Sequence, residues 1–124
     1  MTPPATTFDE YKAIDDVIRR YIEGARSGSA GEMRLAFHKD ATIFGYAGET
    51  LLAGPIQALY DIVEKRGPLP NVAAVVAGID IAGAVATVRL EGDKWGERRF
   101  TDMFALIKSD GKWQIVNKIF QFHD

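Results

Sequence analysis

The run Phe100-Thr101-Asp102-Met103-Phe104-Ala105-Leu106-Ile107-Lys108, the link Ser109-Asp110-Gly111-Lys112 and the run Trp113-Gln114-Ile115-Val116-Asn117-Lys118-Ile119-Phe120 decide the fold. Asp-Gly between two apolar runs suits a two-residue hairpin, because both turn positions need positive φ. Taking Asp110 and Gly111 as the loop sets Ser109 opposite Lys112, Lys108 opposite Trp113 and Leu106 opposite Ile115. Simple alternation then places Phe104 opposite Asn117 and Asp102 opposite Ile119. One face carries Asp102, Phe104, Leu106, Trp113, Ile115, Asn117 and Ile119, and its bulky aromatics predict that helices cover it. Asp102 is the acid inside an apolar strand, where an uncompensated charge is unfavourable to bury. It is either an edge residue or the polar point of a pocket.

Upstream of the hairpin, Val72 to Ile81 is nearly all apolar, Ala82-Gly83-Ala84 turns the chain back into Val85 to Leu90, and Gly92 to Arg99 forms a polar, charged excursion. This predicts a meander of about four antiparallel strands. The first half reads as helical. Thr7 and Glu10 have capping-box spacing, and Tyr11, Ile14, Val17, Ile18, Tyr21, Ile22 and Ala25 recur at helical spacing, predicting a helix from Phe8 to Ser27. Gly28 stops it. Ser29 and Glu32 open a short second helix carrying Met33, Ala36 and Phe37 and ending at His38 and Lys39. Asp40 to Tyr46 reads as a strand, Leu51-Leu52 as its return, and Gly54-Pro55 as the start of a third helix that Gly67-Pro68 ends. The class is α+β, with residues 1–6 a disordered lead-in and residues 7–124 one domain.

Bulk properties narrow the function. The 124 residues carry 15 basic and 17 acidic side chains, so no broad basic footprint for nucleic acid is expected. There is no cysteine, which excludes disulfides, thiolate metal sites and thiol catalysis. The start, Met1-Thr2-Pro3-Pro4-Ala5-Thr6-Thr7, has neither the basic nor the apolar region of a signal peptide, and no run is long and apolar enough to span a membrane. A cytoplasmic protein is expected. The sequence contains no HExxH, no glycine loop for phosphates and no nucleophile elbow, so neither metal nor cofactor is expected. The segment Ala73 to Ile81 is apolar on both faces, and the economical cover for a second apolar face is another copy of the chain, hence a homodimer through the sheet.

The order helix, short helix, strand, helix and long sheet resembles the nuclear transport factor 2-like superfamily, the cone-shaped fold of ketosteroid isomerase and SnoaL-like cyclases. Phe37-His38-Lys39-Asp40-Ala41, Phe100-Thr101-Asp102 and Asp110-Gly111-Lys112-Trp113-Gln114-Ile115-Val116-Asn117-Lys118 bring it close to the lumazine-binding branch. The resemblance implies a curved antiparallel sheet wrapped over the three helices, with an apolar pocket at the open end of the cone. The superfamily holds isomerases, cyclases, dehydratases and binding domains, so the fold leaves the reaction open.

On this reading Asp102 and Asn117 project into the pocket, and desolvation raises the Asp102 pKa towards a general acid or base role. The plain alternative is a carboxylate that bonds a neighbour and holds sheet register. His38 is a second candidate, as a proton shuttle or as a histidine answering a helix dipole. Tyr21, Tyr46 and Tyr60 orient a ligand or pack in the core with hydroxyls at the rim. Trp95 is a lid over the mouth, a hairpin tip or a dimer contact, and Phe104 and Trp113 supply aromatic wall. Three functions follow: binding of a small apolar or aromatic ligand, cofactor-independent isomerase, dehydratase or cyclase chemistry by Asp102 with His38, or a dimeric interaction module.

Overall fold

A computed structural model describes residues 7–123. The lead-in expected over residues 1–6 lies outside them. Helices α1 (Thr7–Ser27), α2 (Ala30–Arg34) and α3 (Gln57–Arg66) accompany strands β1 (Phe37–Ala47), β2 (Thr50–Pro55), β3 (Ala73–Ala82), β4 (Val85–Trp95), β5 (Arg98–Ser109) and β6 (Lys112–His123). The six strands form one open sheet in the order β2-β1-β6-β5-β4-β3. All neighbours are antiparallel except β1 and β6, so the sheet is mixed. The α+β reading holds. Among the described residues no helix is long and apolar enough to cross a membrane.

Helix α1 forms as its spacing predicts, and the stripe Ile14, Ile18, Tyr21, Ile22 and Ala25 is buried against the sheet. The Ser29 side chain accepts from the Glu32 N–H at 3.0 Å and caps α2. Helix α1 begins one residue earlier than expected, at Thr7, and two further helix boundaries differ by more. Phe37 and His38 belong to β1, because α2 stops at Arg34 and Phe37 pairs with Ile115. Phe37 packs edge-on against Tyr21 and Tyr60 at 6.0 and 6.1 Å from this place in the sheet. Pro55 ends β2 opposite Thr42 rather than opening α3. Strand β2 is an edge, where proline's missing donor is tolerated.

The final hairpin turns at Asp110 and Gly111, with φ of 51° and 76°, and Ser109 pairs with Lys112 as expected. The register then changes. Leu106 pairs with Ile115 but Ala105 pairs with Asn117, leaving Val116 as an extra residue on β6. This bulge reverses the alternation beyond it. Phe104 therefore faces Lys118, and Asp102 faces Phe120. The expectation that Asn117 and Ile119 share the Asp102 face is corrected: Lys118 and Phe120 are buried on that face, and Ile119 is exposed on the other. A second irregularity, between Gly92 and Trp95, lets Trp95 pair with Arg98 and turn inward. The expected charged excursion is thus a continuation of the β4–β5 hairpin, and its Trp95 is 6% exposed.

The outer face of the sheet carries Val75, Val85, Met103 and Ile119 at 66, 52, 48 and 51% exposure.

Candidate functional site

Between the helices and the inner face lies a cavity of about 260 Å3. Strand β5 supplies Arg98, Phe100 and Asp102 by simple alternation, and β6 supplies Lys118, Phe120 and Phe122 because the bulge precedes them. Helix α3 supplies Leu59, Ile62 and Arg66, whose spacing puts them on one helical face. Tyr21 enters from α1 and Trp95 from the end of β4.

The polar centre is Asp102, 1% exposed. The Tyr21 hydroxyl donates to its Oδ2 at 2.8 Å, and Lys118 Nζ lies 3.8 Å from its Oδ1. Lys118 is itself buried, with its ammonium 5.1, 5.5 and 4.9 Å from the ring centres of Tyr21, Trp95 and Phe120. Tyr21 and Trp95 are stacked at 6.0 Å, so the ammonium rests against an aromatic wall. Burial pushes the Asp102 pKa up, opposed by the Lys118 charge and the Tyr21 hydrogen bond. Burial lowers Lys118, opposed by Asp102. Tyr21 is held well above its ordinary value by burial and then by the neighbouring carboxylate. A carboxylate poised in this way can accept a proton from a bound molecule, and the ammonium can hold a developing negative charge.

Of the residues anticipated from sequence, Tyr21, Trp95 and Asp102 meet in this cavity. Phe104 stands behind it, edge-on to Tyr21 at 5.3 Å. Trp113 donates its indole N–H to Glu10 Oε2 at 3.1 Å, and Glu10 also receives Lys108 Nζ at 2.7 Å, which ties α1 to the hairpin away from Asp102. Asn117 turns the other way and donates to Thr42 Oγ1 at 2.9 Å. Tyr46 is 46% exposed and lies over a shallow groove with Leu51 and Ile119. His38 and Tyr60 line a separate cavity with Arg34 and Gln114. His38 Nδ1 accepts from the Asp40 N–H at 3.0 Å, so it belongs to a strand and not to a helix end. Lys118 is the residue of the polar centre that the sequence did not point to; Arg66, Arg98, Phe120 and Phe122 also line the cavity without having been anticipated. The signal for Lys118 was a lone lysine in an apolar strand, masked by alternation that assigned it to the wrong face.

Among the described residues no group of three or more His, Cys, Asp and Glu side chains is arranged to hold a metal. The chemistry at the centre of the cavity is that of the Asp102 carboxylate, the Lys118 ammonium and the Tyr21 phenol, with the guanidinium groups of Arg66 and Arg98 also in its lining.

The family model described as "Putative lumazine-binding" matches residues 9–121, and the chain belongs to that family. It lies within the nuclear transport factor 2-like superfamily. A nuclear transport factor 2-like protein from Shewanella baltica OS155 superposes with a TM-score of 0.92 at 41% identity, covering 98% of this chain and 99% of that one. Another from Methylobacillus flagellatus KT gives 0.91 at 45%, covering 100% and 99%. A fungal protein from Cladobotryum sp, named aldolase FrzH, is 32% identical over 115 residues, 92% of each chain.

Proposed function

We propose that the cavity takes a small, mostly apolar or aromatic carbonyl compound and that Asp102 removes a proton from the carbon beside the carbonyl. The observation carrying this reading is a buried carboxylate in an apolar pocket with one oxygen held by Tyr21 and the other 3.8 Å from a buried ammonium. The Tyr21 hydrogen bond to Oδ2 leaves Oδ1 as the oxygen that accepts the proton. The substrate C–H bond breaks, its electron pair spreads onto the carbonyl oxygen, and Lys118 donates a hydrogen bond to the resulting enolate. Return of the proton to another carbon isomerises the substrate, and departure of a β-hydroxyl with that proton from Asp102, as water, dehydrates it. Attack of the enolate on a second carbonyl forms a carbon–carbon bond, and the resulting alkoxide takes the proton back from Asp102. Aldol reactions begin with activation of a carbon beside a carbonyl, and the fungal relative named an aldolase supports this family of reactions here. Lys118 and Tyr21 take the partner role expected of His38, which lines the other cavity.

Exchange of the methyl protons of 2-acetylnaphthalene in D2O, followed by NMR, tests this. The protein should speed exchange, and Asp102→Asn should reduce the rate by about 10² or more. A folded protein that binds the ketone and leaves exchange at the buffer rate is a binding domain without this chemistry.

A second reading concerns assembly and is compatible with the first. The outer face with exposed Val75, Val85, Met103 and Ile119 supports a homodimer through the sheet. Analytical ultracentrifugation should give twice the chain mass, and Ile119→Lys should return it to one.

A further inference from the structure

We propose that the ligand of this cavity is an anion, an apolar or aromatic molecule whose carboxylate is held at the mouth between Arg66 and Arg98 while its far end meets Asp102 and Lys118. The inference rests on the cavity being the ligand site. Two guanidinium groups reach one mouth from opposite layers of the fold. Arg66 is the last residue of α3, on the same helical face as Leu59 and Ile62. Arg98 opens β5 on the same strand face as Phe100 and Asp102. Each lies near an aromatic ring of the wall, Arg66 6.0 Å from the centre of Trp95 and Arg98 5.0 Å from that of Phe122.

The charges do not balance. The side chains lining the cavity include the cations Arg66, Arg98 and Lys118 against the single carboxylate Asp102. Lys118 is matched with Asp102 at the base. Among the described residues neither Arg66 nor Arg98 forms an ion pair, and partial burial, then the Arg98 charge, disfavour the charge on Arg66. Two like charges converging on an apolar opening repel, and an oxyanion between them turns that repulsion into two charge-assisted hydrogen bonds. Guanidinium groups suit this task because their planar donors match a carboxylate, and the aromatic surfaces beneath them help fix their orientation. The arrangement also sets direction: an anion caught at the mouth presents the opposite, uncharged end of the molecule to Asp102.

The test is calorimetric titration of the whole protein with 2-naphthoate and with its neutral counterpart 2-naphthamide, at low and moderate salt. The carboxylate should bind at least about tenfold more tightly. The preference should shrink with added salt and disappear in the double variant Arg66→Met with Arg98→Met, while naphthamide affinity holds. Both arginines are exposed, and circular dichroism checks that the variant folds. Equal affinity for the two probes overturns the inference and leaves the apolar cavity standing as a ligand site. A preference that survives in the double variant places the anion at Lys118 and also overturns it. Failure of both probes to bind the folded protein overturns the cavity reading together with the inference.

Discussion

Lys118 Nζ lies 3.8 Å from Asp102 Oδ1, and both side chains are buried, at 4 and 1% exposure. An ion pair so enclosed is weak evidence for stability, since removing two charges from water offsets much of their attraction. Its geometry keeps a carboxylate and an ammonium together in an apolar place, as the proposed proton transfer requires.

Breaking that pair should be worse than removing it. Lys118→Met leaves a buried carboxylate opposed only by Tyr21 and should lower stability by about 3–5 kcal/mol. Adding Asp102→Asn to Lys118→Met should restore most of the loss, because no unpaired charge remains. Urea denaturation of the four proteins at pH 7 measures the coupling; additive losses would show that the two groups do not act as a pair.

Activity should follow a bell-shaped pH profile. In the proposed reaction the working form has Asp102 ionised and Lys118 protonated. The rising limb should lie above the ordinary carboxyl value of 3.8 and the falling limb below the ordinary lysine value of 10.5. Stability should move in the opposite sense on the acid side. Between 3.8 and the raised folded pKa of Asp102, the unfolded chain has released a proton that the folded chain keeps, so this group's contribution falls as pH rises. Between the lowered folded pKa of Lys118 and 10.5, the unfolded chain holds a proton that the folded chain lacks, so stability rises with pH. Rate measurements on the ketone exchange, and melting temperatures across the same range, check both signs.

The cavity wall depends on a glycine. A Cβ at Gly92 would overlap the ring of Phe100, which packs edge-on against Trp95 at 5.5 Å. Gly92→Ala should therefore displace Phe100 and lower stability by about 1–3 kcal/mol through overpacking. The near-ultraviolet circular dichroism of Trp95 should change with it. An unchanged spectrum and unchanged stability would mean that the strand shifts to make room.

Asn117 provides the contrast. Its amide bonds Thr42 Oγ1 away from the cavity, so Asn117→Ala should cost about 1 kcal/mol and leave ketone exchange at the wild-type rate. Lost exchange in a stable variant would return Asn117 to the site.

Local chemistry was enough for the elements themselves. Asp110-Gly111 specifies its own turn because both positions adopt positive φ, and the apolar stripe of α1 can be buried only on one side of a helix. Those patterns also identified Asp102 and Tyr21 as polar groups of interest. They did not reveal that Tyr21 places its hydroxyl on Asp102 across 81 positions of sequence, a contact made by packing α1 on β5. Nor did they reveal Lys118. Alternation along β6 sends Lys118 outward until Val116 is left unpaired, and one unpaired residue exchanges the two faces beyond it. The same kind of shift turns Trp95 inward. Nothing in the residue types of Val116 or Lys94 marks such a shift, because a bulge depends on how neighbouring strands line up. That alignment exists only once the sheet has assembled, and it decided which lysine meets the acid.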